Sequence, residues 1–317
     1  VGTRASDHRQ VTESDPASAR HGSSIAGALQ GMRLYQWPKN TLVFVPLLVS
    51  HAFTLEDFLD ALVAFFSFSL LASATYLFND LRDIRSDRMH RIKSQRPIAS
   101  GALSERAAMS CAIALLLFAS ALTLLLPHGF AVVLAIYLVT TLGYTLLFKR
   151  MLGLDIVVIA CLYTLRVVAG DEAIGADLAG LDSSDWILGF SCLLFLALAL
   201  IKRCSELFTS LLDGHEQLPG RAYREEDIPI LLALATGASM CSIAIFVRFI
   251  GSSDVTDNFS DPRLLWLMVP ILVYWLMRLL LLANRKMIVD DPVLFTLRDA
   301  HSRWCGVGMT LVTLAAW

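Results

Sequence analysis

Charge is scarce in this chain of 317 residues. Asp, Glu, Lys and Arg supply 17% of it, against about a quarter in a soluble domain. So few ionisable groups argue against a water-soluble globule, and the mean hydropathy of +0.61 points the same way. Period-two alternation of apolar and polar residues is also missing, which excludes a transmembrane barrel. The six cysteines (Cys111, Cys161, Cys192, Cys204, Cys241 and Cys305) lie scattered in apolar segments without a C-x-x-C pair. That argues against a disulfide framework or a thiol nucleophile and leaves small buried hydrophobes. The seven histidines form no metal-ligand spacing. A net charge of -2 gives no sign of a nucleic-acid partner.

What is present is a series of apolar runs near the ~20 residues that an α-helix needs to cross a bilayer. They fall at 37–51, 59–78, 107–126, 130–148, 152–169, 186–201, 228–250, 264–283 and 304–317. Backbone polar groups in lipid are satisfied only in helices or closed barrels. The runs therefore predict an all-α, polytopic membrane protein with about nine transmembrane helices. The first run gains length from an amphipathic lead-in, and the last is short for a bilayer. Residues 1–30 are polar, lack the apolar core of a signal peptide and read as a disordered cytosolic tail. Residues 31–317 are expected to form one membrane domain.

Lysine and arginine are absent from alternate connections. None occurs in 52–58, 127–129, 171–185 or 251–262. The opposite set is basic: Arg33 and Lys39 at the lead-in to the first run, Arg82 to Arg106 after the second, then Lys149 and Arg150 after the fourth, Lys202 to Arg224 after the sixth, and Arg285 to Arg303 after the eighth. Basic loops face the cytoplasm. The N-terminus and the charged loops are thus expected inside, in a cytoplasmic (inner) membrane.

The densest charge is in "YLFNDLRDIRSDRMHRIKSQRPIASG", residues 76–101. Asp80, Asp83 and Asp87 stand at i, i+3 and i+7, one stripe of a helix turning about 100° per residue. Asn79 is beside them. Three carboxylates on one face repel unless a cation neutralises them. Mg²⁺ suits: it takes oxygen ligands and bridges carboxylates to substrate phosphates. Lys93 and Arg96 follow and can hold phosphate oxygens. The segment reads as a Mg²⁺–diphosphate site. A solvated cluster obeying the positive-inside rule would explain the arginines but not the register of the acids.

The pattern N-D-x-x-D-x-x-x-D followed by K-x-x-R-P-I-A-S-G (Asn79 to Asp87, then Lys93 to Gly101) resembles the first motif of the UbiA superfamily of intramembrane prenyltransferases. The resemblance extends from about residue 31 to the end. It implies a UbiA-like bundle with a cytoplasm-facing active site, in which these aspartates hold Mg²⁺ against a diphosphate. Aromatic prenyltransferases of the superfamily carry a second acidic motif after the sixth helix. Here that place reads "IKRCSELFTSLLDGHEQLPGRAYREED", with no D-x-x-x-D. Lys202, Arg203 and Glu206, with "QWPKN" (36–40) and "FTLRD" (295–299), look like the decaprenyl-phosphate phosphoribosyltransferase branch. Arg91 and Cys204 depart from that branch, where Pro and Tyr are usual. The resemblance implies phosphoribosyl diphosphate and a polyprenyl phosphate as substrates. A prenyl diphosphate and an aromatic or other acceptor are the alternative pair.

An anionic lipid phosphate needs a cationic cradle of its own, and Lys202 with Arg203 can supply one. Lys39, Lys149, Glu206 and Arg298 complete the candidate substrate contacts. Interface anchoring is the other reading of Lys39 and the favoured one of Lys149. Asp155 is expected to pair with a loop cation, and Arg166 to serve function or to snorkel. Asp290–Pro292 reads as a helix cap. A transporter would place its charges near the bilayer midplane, and a lipid-binding scaffold would not need the aspartate register.

Overall fold

The structure, a computed structural model, describes residues 24–49, 54–89, 93–175, 184–212, 217–218, 220–252, 259–288 and 291–316. Among these residues it is helical throughout, with one isolated bridge between Gln217 and Arg224. The helices are α1 (Ser24–Gly31), α2 (Val45–Val49), α3 (Leu55–Arg82), α4 (Ile84–Met89), α5 (Glu105–Leu122), α6 (His128–Leu146), α7 (Leu154–Ile174), α8 (Ser184–Leu212), α9 (Ile228–Ile250), α10 (Met268–Asn284), α11 (Pro292–Arg298) and α12 (Ala300–Ala316). Helix α1 begins inside the stretch read as a tail; residues 1–23 of that stretch lie outside the described residues.

Among the described residues, six helical segments are long and apolar enough to cross a membrane: Leu55–Arg82, Glu105–Leu125, His128–Leu146, Trp186–Leu212, Glu225–Ile250 and Pro262–Asn284. The protein is an integral membrane protein. Three other expected spans have their own character. The run at 152–169 is α7, which carries Asp155, Arg166, Asp171 and Glu172. The last is α12, of 17 residues. The first is α2 preceded by a 3₁₀ segment, Leu34–Phe44.

Consecutive long helices pack as neighbours: α3 with α5 and α6, then α6 with α7, α7 with α8, α8 with α9, and α9 with α10. Their chain direction alternates. The end of α3, the start of α7, the last turns of α8 and the loop after α10 therefore meet at one end of the bundle. Buried Ser69, Ala72 and Ser73 on α3 present a small-residue face toward the 3₁₀ segment, the kind that lets membrane helices approach closely, while Ser67 on the opposite side donates to the Ala119 carbonyl of α5 (2.9 Å). The 3₁₀ segment lies against α3 and α7. Eleven residues is long for a 3₁₀ run. Here it is tied on both sides: Trp37 Nε1 donates to Ser73 Oγ (3.0 Å), Asn40 Nδ2 donates to Ser69 Oγ (3.0 Å), and Arg166 Nε donates to Asn40 Oδ1 (2.9 Å).

Gly170 on α7 makes this approach possible. A Cβ there would lie 1.9 Å from the carbonyl oxygen of Val43. Gly170→Ala is expected to push the 3₁₀ segment off α7, at a cost of about 1–3 kcal/mol. The check is the unfolding midpoint in detergent, with Gly153→Ala as a control for backbone strain alone, since Gly153 has φ 79° and no atom near a Cβ.

Candidate active site

Helix α3 ends one residue before the second aspartate of the motif. Asp83 has φ -94° and ψ 10°, and the chain resumes as α4 at Ile84. The Asp83 N–H still reaches the Asn79 carbonyl (3.0 Å) and the Asp87 N–H the Asp83 carbonyl (2.9 Å). The continuous stripe expected from the sequence is thus a kinked one. Asp80 and Asp87 are buried, each 3% exposed, while Asp83 is half-buried at the bend.

Arg96 joins the two buried acids. Its Nη1 lies 3.0 Å from Asp80 Oδ1 and 2.7 Å from Asp87 Oδ2. The Asp80 oxygen also accepts from Arg33 Nη2 at 2.6 Å. Arg33 sits in the left-handed region (φ 53°, ψ 52°), with its guanidinium 5.0 Å over the Tyr76 ring. Two guanidinium groups converge on one carboxylate. Lys93 is exposed on the 3₁₀ turn Lys93–Gln95, which leads into Arg96.

The donor set fits Mg²⁺ in kind. Asp80 and Asp87 offer hard oxygens, and Asn79 Oδ1 is buried without a hydrogen-bond partner. No three His, Cys, Asp or Glu side chains among the described residues come together as a cage. An ion that keeps only one or two carboxylates and shares substrate phosphates needs none. Asp80, Asp87 and Asn79 would hold it, with Arg33 and Arg96 at hand for phosphate oxygens.

A second charged cluster lies further along the 3₁₀ segment. Lys39 is six residues past Arg33, about 12 Å along a 3₁₀ axis. Its Nζ is 2.9 Å from Asp291 Oδ2, and Lys202 Nζ is 2.7 Å from the same oxygen. Tyr163 donates its hydroxyl to Asp291 Oδ1 at 3.2 Å. Burial alone would raise the Asp291 carboxyl, yet Lys202 and Lys39 hold it well below the usual carboxylate range. Asp291 also caps α11 through Val293 N–H (3.1 Å), as the Asp-Pro sequence predicts. Asp290 lies outside the described residues.

Arg203 points elsewhere. It has no exposure, and its Nη2 lies 2.5 Å from the equally buried Asp155 Oδ2 in an ion pair without hydrogen-bond alignment. It also pairs with Glu206 and stacks 5.3 Å over the Tyr223 ring. Arg221 reaches Asp155 (3.3 Å) and Glu206 (3.7 Å). Tyr223 donates to Asp155 Oδ1 at 2.5 Å. Asp155 takes the loop cation the sequence suggested, but Arg203 and Glu206 brace α7, α8 and that loop instead of forming a cradle with Lys202. Lys149 is half-buried on the turn Phe148–Arg150, and Arg298 is exposed at the end of α11. His90 and Arg91 lie outside the described residues.

Sequence reading missed Arg33, Tyr163 and Asp291 as site residues. Arg33 carried only a topology signal, and Asp291 was fully explained as a cap.

Relatives of this chain are known. It is 36% identical over 282 residues to the uncharacterized protein y4nM of Sinorhizobium fredii; the match takes in 88% of this chain and 53% of that one, so the chain spans about half the length of that relative. It is 29% identical to the nodulation protein NoeC of Azorhizobium caulinodans, over 89% of this chain and 90% of NoeC. It is 33% identical to the decaprenyl-phosphate phosphoribosyltransferase of Corynebacterium glutamicum, over 65% of this chain and 66% of the relative. The solved structure of a UbiA homologue from Archaeoglobus fulgidus bound to GPP and Mg²⁺ shares the fold, with a TM-score of 0.66 at 15% identity, over 92% of this chain and 99% of that one. The family model for UbiA prenyltransferases matches residues 41–297, from within the 3₁₀ segment into α11, and the chain therefore belongs to the UbiA prenyltransferase family.

Proposed function

We propose that the protein transfers 5-phosphoribosyl from phosphoribosyl diphosphate to a polyprenyl phosphate, with Mg²⁺, at the cytosolic face of the membrane. The bond from ribose C1 to the diphosphate oxygen breaks, and its electron pair leaves with the diphosphate. An oxygen of the lipid phosphate forms the new bond to C1. Asp80, Asp87 and Asn79 orient the metal–diphosphate end of the donor. Arg33, Arg96 and Lys93 hold diphosphate oxygens and stabilise the charge that grows there as the bond breaks. A bound Mg²⁺ would neutralise the leaving group.

One observation carries the choice of acceptor. Where aromatic prenyltransferases have a second acidic motif, this chain brings two lysines, Lys39 and Lys202, to a single point. Cations suit an anionic acceptor; a second acidic metal site suits a second diphosphate better. The decaprenyl-phosphate phosphoribosyltransferase relative supports the same reading. The basic loops support the cytosolic placement.

The second reading is transfer of a prenyl group to an aromatic or other acceptor, favoured by the family as a whole and by the prenyl diphosphate in the Archaeoglobus homologue. Purified protein incubated with Mg²⁺, labelled phosphoribosyl diphosphate and a polyprenyl phosphate separates the two. The expected result is a labelled lipid in the organic extract. Turnover of a prenyl diphosphate with no labelled lipid sinks the phosphoribosyl reading.

A further inference from the structure

The cluster around Asp291 is out of charge balance. Lys39 and Lys202 share one carboxylate oxygen. Arg166, buried at 6% exposure, packs 5.2 Å over the ring of Tyr163, which bonds that same carboxylate. The hydrogen bonds of Arg166 go to neutral groups: Asn40, Tyr137 and the Leu162 carbonyl. The neighbouring network of Asp155, Glu206, Arg203 and Arg221 balances itself. Glu206 also acts on Lys202, yet among the described residues of the two groups five cations face three anions, an excess of two positive charges. Uncompensated charge inside a membrane bundle is costly and marks function. A ligand with two negative charges would close the balance. A phosphate monoester carries close to two at neutral pH.

We infer that Lys39, Lys202 and Arg166 form a site for a phosphate monoester dianion, and that the Asp291 carboxylate occupies the lysines until that ligand displaces it. The lysines already converge on one oxygen, as they would on a phosphate. Tyr163 offers a hydroxyl to the same point. Asp291 is therefore a competitor, which sets the affinity of the site and keeps the lysines together in its absence. The inference rests on reading the cleft as a transferase site for two anionic substrates. It goes beyond that reading in naming the charge state of the ligand and the residue that gives way.

Two sources carry this head group: a lipid monophosphate and a sugar phosphate. An apolar cavity of about 680 Å³, lined by Val45, Leu48, Trp186, Phe190 and Met309, runs along α2, the helix that continues the segment bearing Lys39. That favours the lipid.

The test is equilibrium binding to the purified full chain in detergent, with EDTA and no donor. Farnesyl phosphate, its monomethyl ester and ribose 5-phosphate are the probes. Farnesyl phosphate is expected to bind at least tenfold more tightly than the singly charged ester. Asp291→Asn, which preserves the shape of the cap, is expected to tighten it a further tenfold, and Lys202→Met to weaken it at least tenfold. Ribose 5-phosphate binding with the same response to both variants would uphold the site and assign it to the sugar. Equal binding of ester and monophosphate by the wild type, or unchanged or weaker binding by a folded Asp291→Asn, overturns the inference. Because no transfer is measured, its failure is separate from failure of the transferase reading.

Discussion

Asp80→Ala is expected to lower turnover about 1000-fold, the scale on which single groups that stabilise developing charge act. Asp80 is the buried acid on which both guanidinium groups converge, and in the proposed site it would provide, with Asp87, the hard oxygens for Mg²⁺. Its removal does not strand a buried charge. The side chains of Arg33 and Arg96 are 20% and 29% exposed and can return to water. The stability cost is therefore about 1 kcal/mol or less. Turnover of labelled donor and the unfolding midpoint, read on the same preparation, give the check. A normal midpoint with lost activity supports the assignment. Full activity removes Asp80 from the site, and a collapsed midpoint makes its role structural. Asp83→Ala, at the bend and half-buried, is expected to cost less than Asp80→Ala.

Arg203→Leu has the opposite signature: a large effect on stability. Arg203 and Asp155 are both fully enclosed, so neither can be rehydrated when its partner is lost. Breaking such a pair from one side costs about 3–5 kcal/mol. Arg221 and Tyr223 stay with Asp155 and place the loss near the lower end. Denaturant unfolding in mixed micelles is the measurement. The double replacement Asp155→Leu with Arg203→Leu removes both buried charges and is expected to recover part of the loss. If Arg203→Leu unfolds like the wild type while lipid-phosphate binding disappears, Arg203 belongs to the cradle after all.

The contrast between these two residues shows how far the sequence was legible. Spacing alone located the acidic end of α3, because a helix boundary in a membrane is an unusual place for carboxylates. It could not reveal the bend at Asp83, which depends on backbone angles, nor that Arg96 folds back onto Asp80 and Asp87 over a turn. Lys202 and Arg203 are adjacent and were read as one cradle. On a helix, adjacent residues point about 100° apart, and here one joins Lys39 while the other enters a buried network. Asp291 had a sufficient local explanation as a cap, so its long-range lysine partners, from residues 39 and 202, left no trace in its own neighbourhood. The apolar runs were legible wherever they were uninterrupted. The first was not, because Pro38 and the polar ties of Trp37 and Asn40 draw it into a 3₁₀ segment.

In the proposed reaction Asn79, Asp80 and Asp87 assemble a metal–diphosphate site. The most direct measurement uses Mn²⁺ as a spectroscopic replacement for Mg²⁺. The electron paramagnetic resonance signal of free Mn²⁺ is followed as pyrophosphate is added to the purified protein. The signal is expected to fall to a stoichiometric bound fraction with the wild type, beyond the loss that pyrophosphate alone produces. Asp80→Asn with Asp87→Asn, folded by its unfolding midpoint, is expected to abolish that extra binding. Equal Mn²⁺ binding by the wild type and the double variant would remove Asp80 and Asp87 from the metal site.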